Sequence, residues 1–330
     1  MTSNTKHKFF QSKFPVPLFL LVLCVLAYGL LIPTLGYYWD DWPYAWINHM
    51  YGPAGFPDFV ALDRPHSAWI FMLLTAILGE QPLGYHISSL LLFWLCAVLF
   101  WRLLRLLWPE HHKETFWAAL LFSVYPGFLG HPQAIIYNHH FAAMALYLFS
   151  FIGMVRAIQA SGQGASKLEA AAWHLPALAA LALSQFTIEY FLGWEAARLL
   201  VAWLAVKPHA EDTNRKVGRA ILHVYPYGLV TLAFLVWRVF IFQFPTYQPV
   251  GTGEAEFLLG EWFLNTLSQF FQVVFVAWRR AVPQPSSADF SVPFWISYLS
   301  LSAAVMALVL IAVLIYRRPR AAQNGNTDTT

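Results

Sequence analysis

The sequence predicts an all-α, polytopic membrane protein of about eight transmembrane helices, with further helices on the extracytoplasmic surface. Three observations lead there. Hydrophobic residues make up 58% of the chain and charged residues only 11%, against about 25% charged in a soluble domain. Mean hydropathy is +0.52. Apolar runs of about 20 residues, enough to cross the hydrocarbon core, recur along the chain, with Lys and Arg gathered in alternate connections. So little polar surface does not cover a soluble body of 330 residues. A net charge of +3 is too small to indicate nucleic acid, and membrane lipids are the expected surroundings. Cys24 and Cys96 fall in apolar runs and read as small core residues, so no disulfide framework is implied.

Residues 1–15 form an expected cytoplasmic N-terminus bearing Lys6, Lys8 and Lys13. The apolar run 16–36 is too long for a cleaved signal, and no small-x-small site precedes Tyr37. It reads as an uncleaved signal anchor. Its basic flank keeps the N-terminus inside, which puts Asp40 and Asp41 outside. Residues 38–84 then form a first external segment with two surface helices. Asp41 before Trp42-Pro43 has the form of an N-cap and an early helical proline. That helix is expected to reach about Met50 and to stop at Gly52-Pro53. A second is expected from near Pro65 to about Leu78. Its apolar part, 68–78, is short for a span and suits an interfacial or re-entrant element.

With 68–78 outside, spans follow at about 85–107, 115–130, 139–158, 170–187, 188–206 and 217–244. The inner connections then hold Arg102, Arg105, Lys113, Arg156, Lys167, Lys207, Arg215, Lys216 and Arg219. The outer turns near 131–138 and 187–189 hold no Lys or Arg. That is the positive-inside pattern. Residues 245–291 form a second external segment, with an amphipathic surface helix over 257–282. A last span at 292–316, followed by Arg317, Arg318 and Arg320, keeps the C-terminus inside. Residues 16–316 thus read as one transmembrane domain in the plasma (inner) membrane. Both termini are cytoplasmic, and 317–330 is a disordered tail.

Polar groups at membrane depth are costly and often functional. On this topology several meet at the outer end of the bundle. Asp40, Asp41, Asp63, Arg64 and His66 come from the first external segment. His131, Asn138, His139 and His140 flank the second outer turn, and Glu189 lies at the third. Arg238 sits just inside the outer end of the seventh span. Asp40 or Asp41 can serve as a general base, and Arg64 and Arg238 can hold a phosphate by charge-assisted bonds. Each residue also has a plainer reading. Asp41 can cap a helix, leaving Asp40 as the chemical group. Asp63 and Arg64 can pair locally, and His139-His140 can simply start a span. Glu195 and Arg198, at i,i+3 spacing within a span, read as a mutually neutralising pair. No metal-binding His-x-x-x-His, Cys-x-x-Cys or Asp-x-Asp pattern, P-loop or nucleophile elbow occurs, so neither a metal nor a cofactor is expected.

The set of features resembles the GT-C superfamily of membrane glycosyltransferases, in the branch of protein O-mannosyltransferases and aminoarabinose transferases. The resemblance rests on Asp40-Asp41 after the first span and on the long external segment with two surface helices. Arg64-Pro65, the Gly79-to-Tyr85 turn and the acidic turn at Glu189 complete it, over roughly residues 16–206. It implies a GT-C-like fold and transfer of a sugar from a polyprenyl-phosphate donor to a lipid, glycan or protein acceptor outside the cytoplasm. Asp41, or Asp40, would be the catalytic carboxylate. Substrate binding would fall to Asp63, Arg64, His66, His131, Asn138, His139, Glu189 and Arg238. The chain is short for the superfamily and lacks the C-terminal external domain that many members carry. Two other classes stay open: a transporter or flippase, and a non-catalytic subunit of an envelope assembly.

Overall fold

The structure is a computed structural model. It describes residues 15–128, 130–206, 213–242 and 259–281, together with scattered helical positions between 292 and 310. The expectations for residues 1–14, the stretch 243–258 and the tail 317–330 lie outside the described residues, as does most of the last span. Residues 1–281 form one compact unit and 282–330 a second. The protein is all-α, with no strand among the described residues.

Four helices are long and apolar enough to cross a membrane: Val16–Thr34, Pro82–Leu107, Ala134–Gly162 and Asn214–Ile241. They mark a membrane protein. The first is α1, which starts as a regular helix at Val16–Cys24 and widens over Val25–Gly29. The second is α5 (Pro82–Leu107) and the third α7 (Ala134–Gly162). The fourth is α10, Thr213–Val236 with a wider last turn at Trp237–Ile241. Between them lie α2 (Asp41–Tyr51), α3 (Phe56–Val60), α4 (Ala68–Leu78), α6 (His112–Ser123), α8 (Lys167–Thr187) and α9 (Glu195–Val206). The chain continues into α11 (Leu259–Phe271) and α12 (Ala277–Ala281), within the region expected to carry a surface helix.

Helices α2 and α4 form over the two stretches where the sequence places helices. Gly52 at φ 63 ends α2, and Gly79 at φ 67 ends α4, a left-handed conformation that glycine adopts without a Cβ clash. The expected spans at 115–130 and 188–206 are shorter than foreseen. Only His112–Ser123 is helical in the first. In the second, a 3-10 stretch at Glu189–Trp194 precedes the 12 residues of α9. The chain opens out at Tyr125-Pro126-Gly127, where proline removes a helix donor. Neither segment has one uninterrupted helix of spanning length.

The core is built around α7, which packs mainly on α5 and α8. Of its most apolar window 78% is buried, against 22%, 28% and 11% in the other three long helices. So α7 is enclosed by protein and the others present broad apolar faces outward. Close approach of α7 and α8 depends on Gly153: a Cβ there meets Ala177 Cβ at 2.6 Å. The segment between the first two long helices is tied back on itself. Asn48 Nδ2 and the Tyr85 hydroxyl both donate to the Gly79 carbonyl, at 2.8 and 2.7 Å. Trp69 Nε1 donates to Thr187 Oγ1 at 2.8 Å, fixing α4 to the end of α8.

Candidate functional site

Where α8 ends, α7 begins and α10 closes, the chain brings Arg64, Glu189 and Arg238 together. Arg64 Nη2 donates to Glu189 Oε1 at 3.1 Å, and Arg238 Nη2 donates to the same oxygen at 3.4 Å. Arg238 Nη1 also reaches the Asp63 carbonyl at 3.1 Å. Arg64 Nη1 pairs with the neighbouring Asp63 carboxylate. Residues 125 and 175 positions apart along the chain thus share one small volume. Local structure aims them. Arg64 precedes Pro65, which disfavours helical backbone before it, and it adopts φ −136, ψ 71. Glu189 opens the 3-10 turn that follows α8.

The electrostatics agree with this pairing. Burial works against an ionised Glu189, but Arg64 and Arg238 outweigh it and hold the carboxyl below the usual glutamate range. Arg64 is likewise penalised by burial, yet Glu189 and Asp63 keep its guanidinium more firmly protonated than usual. Nearby Tyr44 is pushed up to about 12, chiefly by burial; Arg64 pulls the other way, and Asp63 and Asp40 add to the rise.

The two adjacent acids point apart. Trp39 takes the left-handed region at φ 45, unusual for a residue with a Cβ. The turn leaves Asp40 exposed and Asp41 fully buried. Asp41 does not cap its own helix. Its Oδ2 accepts from the Ala134 amide at 2.8 Å, and its Oδ1 from Ile135 and Ile136 at 2.8 and 3.0 Å. These are orphan donors at the start of α7, whose own N-cap residue, Gln133, supplies no side-chain cap. Burial raises the Asp41 carboxyl above the usual range, with the backbone amides pulling it back. The preferred base of the sequence reading is therefore committed to holding α7. The free carboxylate is Asp40, within electrostatic reach of Tyr44 and Tyr137.

The other expected residues divide. His66 lies between the Phe186 and Trp237 rings, at 5.2 and 4.8 Å between centroids. His139 is buried beside Phe71 and His140, within reach of the Arg64 charge. Two residues do not join the cluster. Asn138 is fully buried and bonded to the Tyr85 carbonyl and Ser88 of α5. His131 stacks on Tyr28 at 3.9 Å beside Phe93 and Phe141; burial lowers its imidazole to about 4. Both act as packing groups.

A second polar set, buried at Arg198 and half-buried at Glu195, His174 and His223, lies within the bundle. Arg198 Nε bonds both oxygens of Glu195 at 2.8 Å, as the i,i+3 spacing foretells. The Tyr147 hydroxyl donates to Glu195 as well. The Arg198 guanidinium lies 4.3 Å from the Phe151 ring and 4.5 Å from that of Tyr227. Tyr227 meets His174 at 3.0 Å, and His174 meets His223 at 3.1 Å. The sequence reading missed His174, His223 and Tyr227. Two histidines inside apolar runs were the available signal.

Among the described residues no cluster of three or more His, Cys, Asp or Glu is arranged to hold a metal ion. No family model, curated protein or solved structure matches the chain.

Proposed function

We propose that this protein is a GT-C-like membrane glycosyltransferase using a polyprenyl-phosphate sugar donor. One observation carries the reading: arginines from distant segments, Arg64 and Arg238, meet on Glu189 at one end of an apolar helix bundle, and the charges of Arg64 and of the exposed Asp40 both reach Tyr44. A lipid phosphate presents its sugar at the membrane surface. The guanidinium groups stabilise the phosphate as it leaves. Asp40 accepts the proton of the attacking hydroxyl. The bond from the anomeric carbon to the phosphate oxygen breaks as the bond to the acceptor oxygen forms. The topology that serves this reading has about eight spans, with the cluster extracytoplasmic and both termini cytoplasmic in the inner membrane.

The expected result is release of polyprenyl phosphate when purified protein meets a polyprenyl-phosphate hexose and an acceptor. Asp40→Asn is expected to lower that rate by about 100-fold or more while membrane insertion and thermal stability hold. Undiminished release by Asp40→Asn sinks the assigned base.

A transporter is the second reading, favoured by the polar set from Glu195 and Arg198 to His174 and His223. Gln185, in the last turn of α8, extends this set by donating to Thr231 Oγ1 at 2.9 Å, and from Gln185 to His174 the set follows α8 for about 16 Å, half the hydrocarbon thickness. Movement of an intact labelled donor across proteoliposomes, without carrier release, is the result that selects it.

A further inference from the structure

We propose that His140 is a specificity residue that accepts a hydrogen bond from a hydroxyl of the donor sugar. The proposal rests on the glycosyltransferase reading and gives a specific role to a group that the sequence placed at the outer end of the bundle without one.

Three histidines lie at or near the start of α7, and their ring nitrogens are placed differently. His139 Nδ1 is buried without a partner, and so is His131 Nε2. His140 Nδ1 lies 3.0 Å from the carbonyl of Ile136, one turn earlier in the same helix. A carbonyl oxygen only accepts, so this nitrogen carries the hydrogen. In the neutral ring Nε2 is then a bare acceptor. It has no partner among the described residues and is not among the buried orphan atoms. It therefore faces accessible space with its lone pair fixed in direction. A group that satisfies it must donate, as a hydroxyl does.

Its surroundings specify the ligand further. The His140 ring stacks on Tyr137 at 4.8 Å and meets Tyr190 at 5.2 Å. Tyr190 is 62% exposed, so part of its side chain is open to a ligand. Arg64 lies 5.3 Å from the same Tyr190 ring. The acceptor nitrogen thus stands one aromatic ring away from the phosphate-holding cation. In a sugar phosphate the hydroxylated ring is bonded directly to the phosphate. A pyranose in this place lays its C–H face on aromatic carbon while one hydroxyl reaches Nε2.

A site that bonds a substrate hydroxyl discriminates against the analogue lacking it. The test uses the polyprenyl-phosphate hexose that the wild type transfers, together with its monodeoxy analogues. For the wild type, kcat/KM is expected to fall by about 10- to 100-fold for one analogue, the equivalent of one lost hydrogen bond that leaves its acceptor unsatisfied in the complex. In His140→Phe, which keeps the ring stack, the parent donor is expected to fall to the level of that analogue, with no further loss on deoxygenation. His140→Asn is the second variant, because its side-chain amide still reaches the Ile136 carbonyl. Loss of rate in both variants with the same deoxy discrimination as the wild type overturns the proposal and leaves the enzyme reading standing. So does a wild type indifferent to every deoxygenation. Failure of the wild type to transfer from any such donor sinks the enzyme reading, and this assignment with it.

Discussion

Asp41→Ala is expected to destabilise the protein by about 3 kcal/mol or more, whereas Asp40→Ala changes stability by no more than about 0.5 kcal/mol. The first figure follows from three backbone bonds that one carboxylate accepts at 2.8, 2.8 and 3.0 Å. Hydrogen bonds to charged groups contribute about 1.5–3 kcal/mol each, and buried donors left unmade add their own penalty. Those donors sit at the positive end of the α7 dipole, which favours an anion there. They also lie in a fully enclosed place: Asp41 has 0% exposure. The second figure is that of a surface change away from packing or bonding. Asp41→Asn should fall between, since its amide oxygen can still accept while its nitrogen meets donors. Thermal unfolding in detergent reads the stability. Hydrogen exchange at residues 134–136 reads the mechanism, because these amides lose protection first if the cap is lost. Equal stability of Asp41→Ala and wild type removes the capping role and returns Asp41 to the candidates for chemistry.

Glu195→Ala should cost about 3–5 kcal/mol, the penalty for leaving a buried charge without its partner. Arg198 has no exposed surface, and its Nη1 and Nη2 have no hydrogen-bond partner. Nε, bonded to Glu195, is its only satisfied group, and the Phe151 and Tyr227 rings flank it. Removing the carboxylate strands the guanidinium among aromatic carbon and frees the Tyr147 hydroxyl that also bonds Glu195. The paired change Glu195→Leu with Arg198→Met should recover most of the loss, because apolar groups of similar volume replace a buried ion pair at little cost. If Glu195→Ala unfolds at the wild-type temperature, the Arg198 charge has water or another anion beside it. The polar set within the bundle would then be hydrated, as the transport reading requires.

These variants separate what periodicity and spacing reveal from what they leave undecided. Composition and apolar run length are enough to identify an all-α membrane protein, because the hydrocarbon core admits helices whose backbone bonds close internally. Local chemistry places α2 and α4: proline after the first acid, glycine at each end, an 11-residue apolar stretch between turns. The i,i+3 pair Glu195 and Arg198 is legible for the same reason, since one helix sets the distance between its own residues. Charge asymmetry between alternate loops groups Arg64, Glu189 and Arg238 only within a wider set that also holds His131 and Asn138; the folded chain is what brings the three together.

Only the tertiary structure decides between Asp40 and Asp41. The two are adjacent and chemically identical. What differs is a partner 93 to 95 positions away, the bare amides of α7. It likewise separates His140, with an open nitrogen, from His131 and Asn138, which are spent on packing. Three neighbouring imidazoles look alike in sequence, and their roles depend on which atoms the fold covers. The same holds for α6 and α9, where apolar runs promised spans and the folded chain makes shorter helices. Covalent neighbours fix helix, cap and face; the use of each polar group is set by what packs against it across the bundle, and that information is spread over residues far apart in the chain.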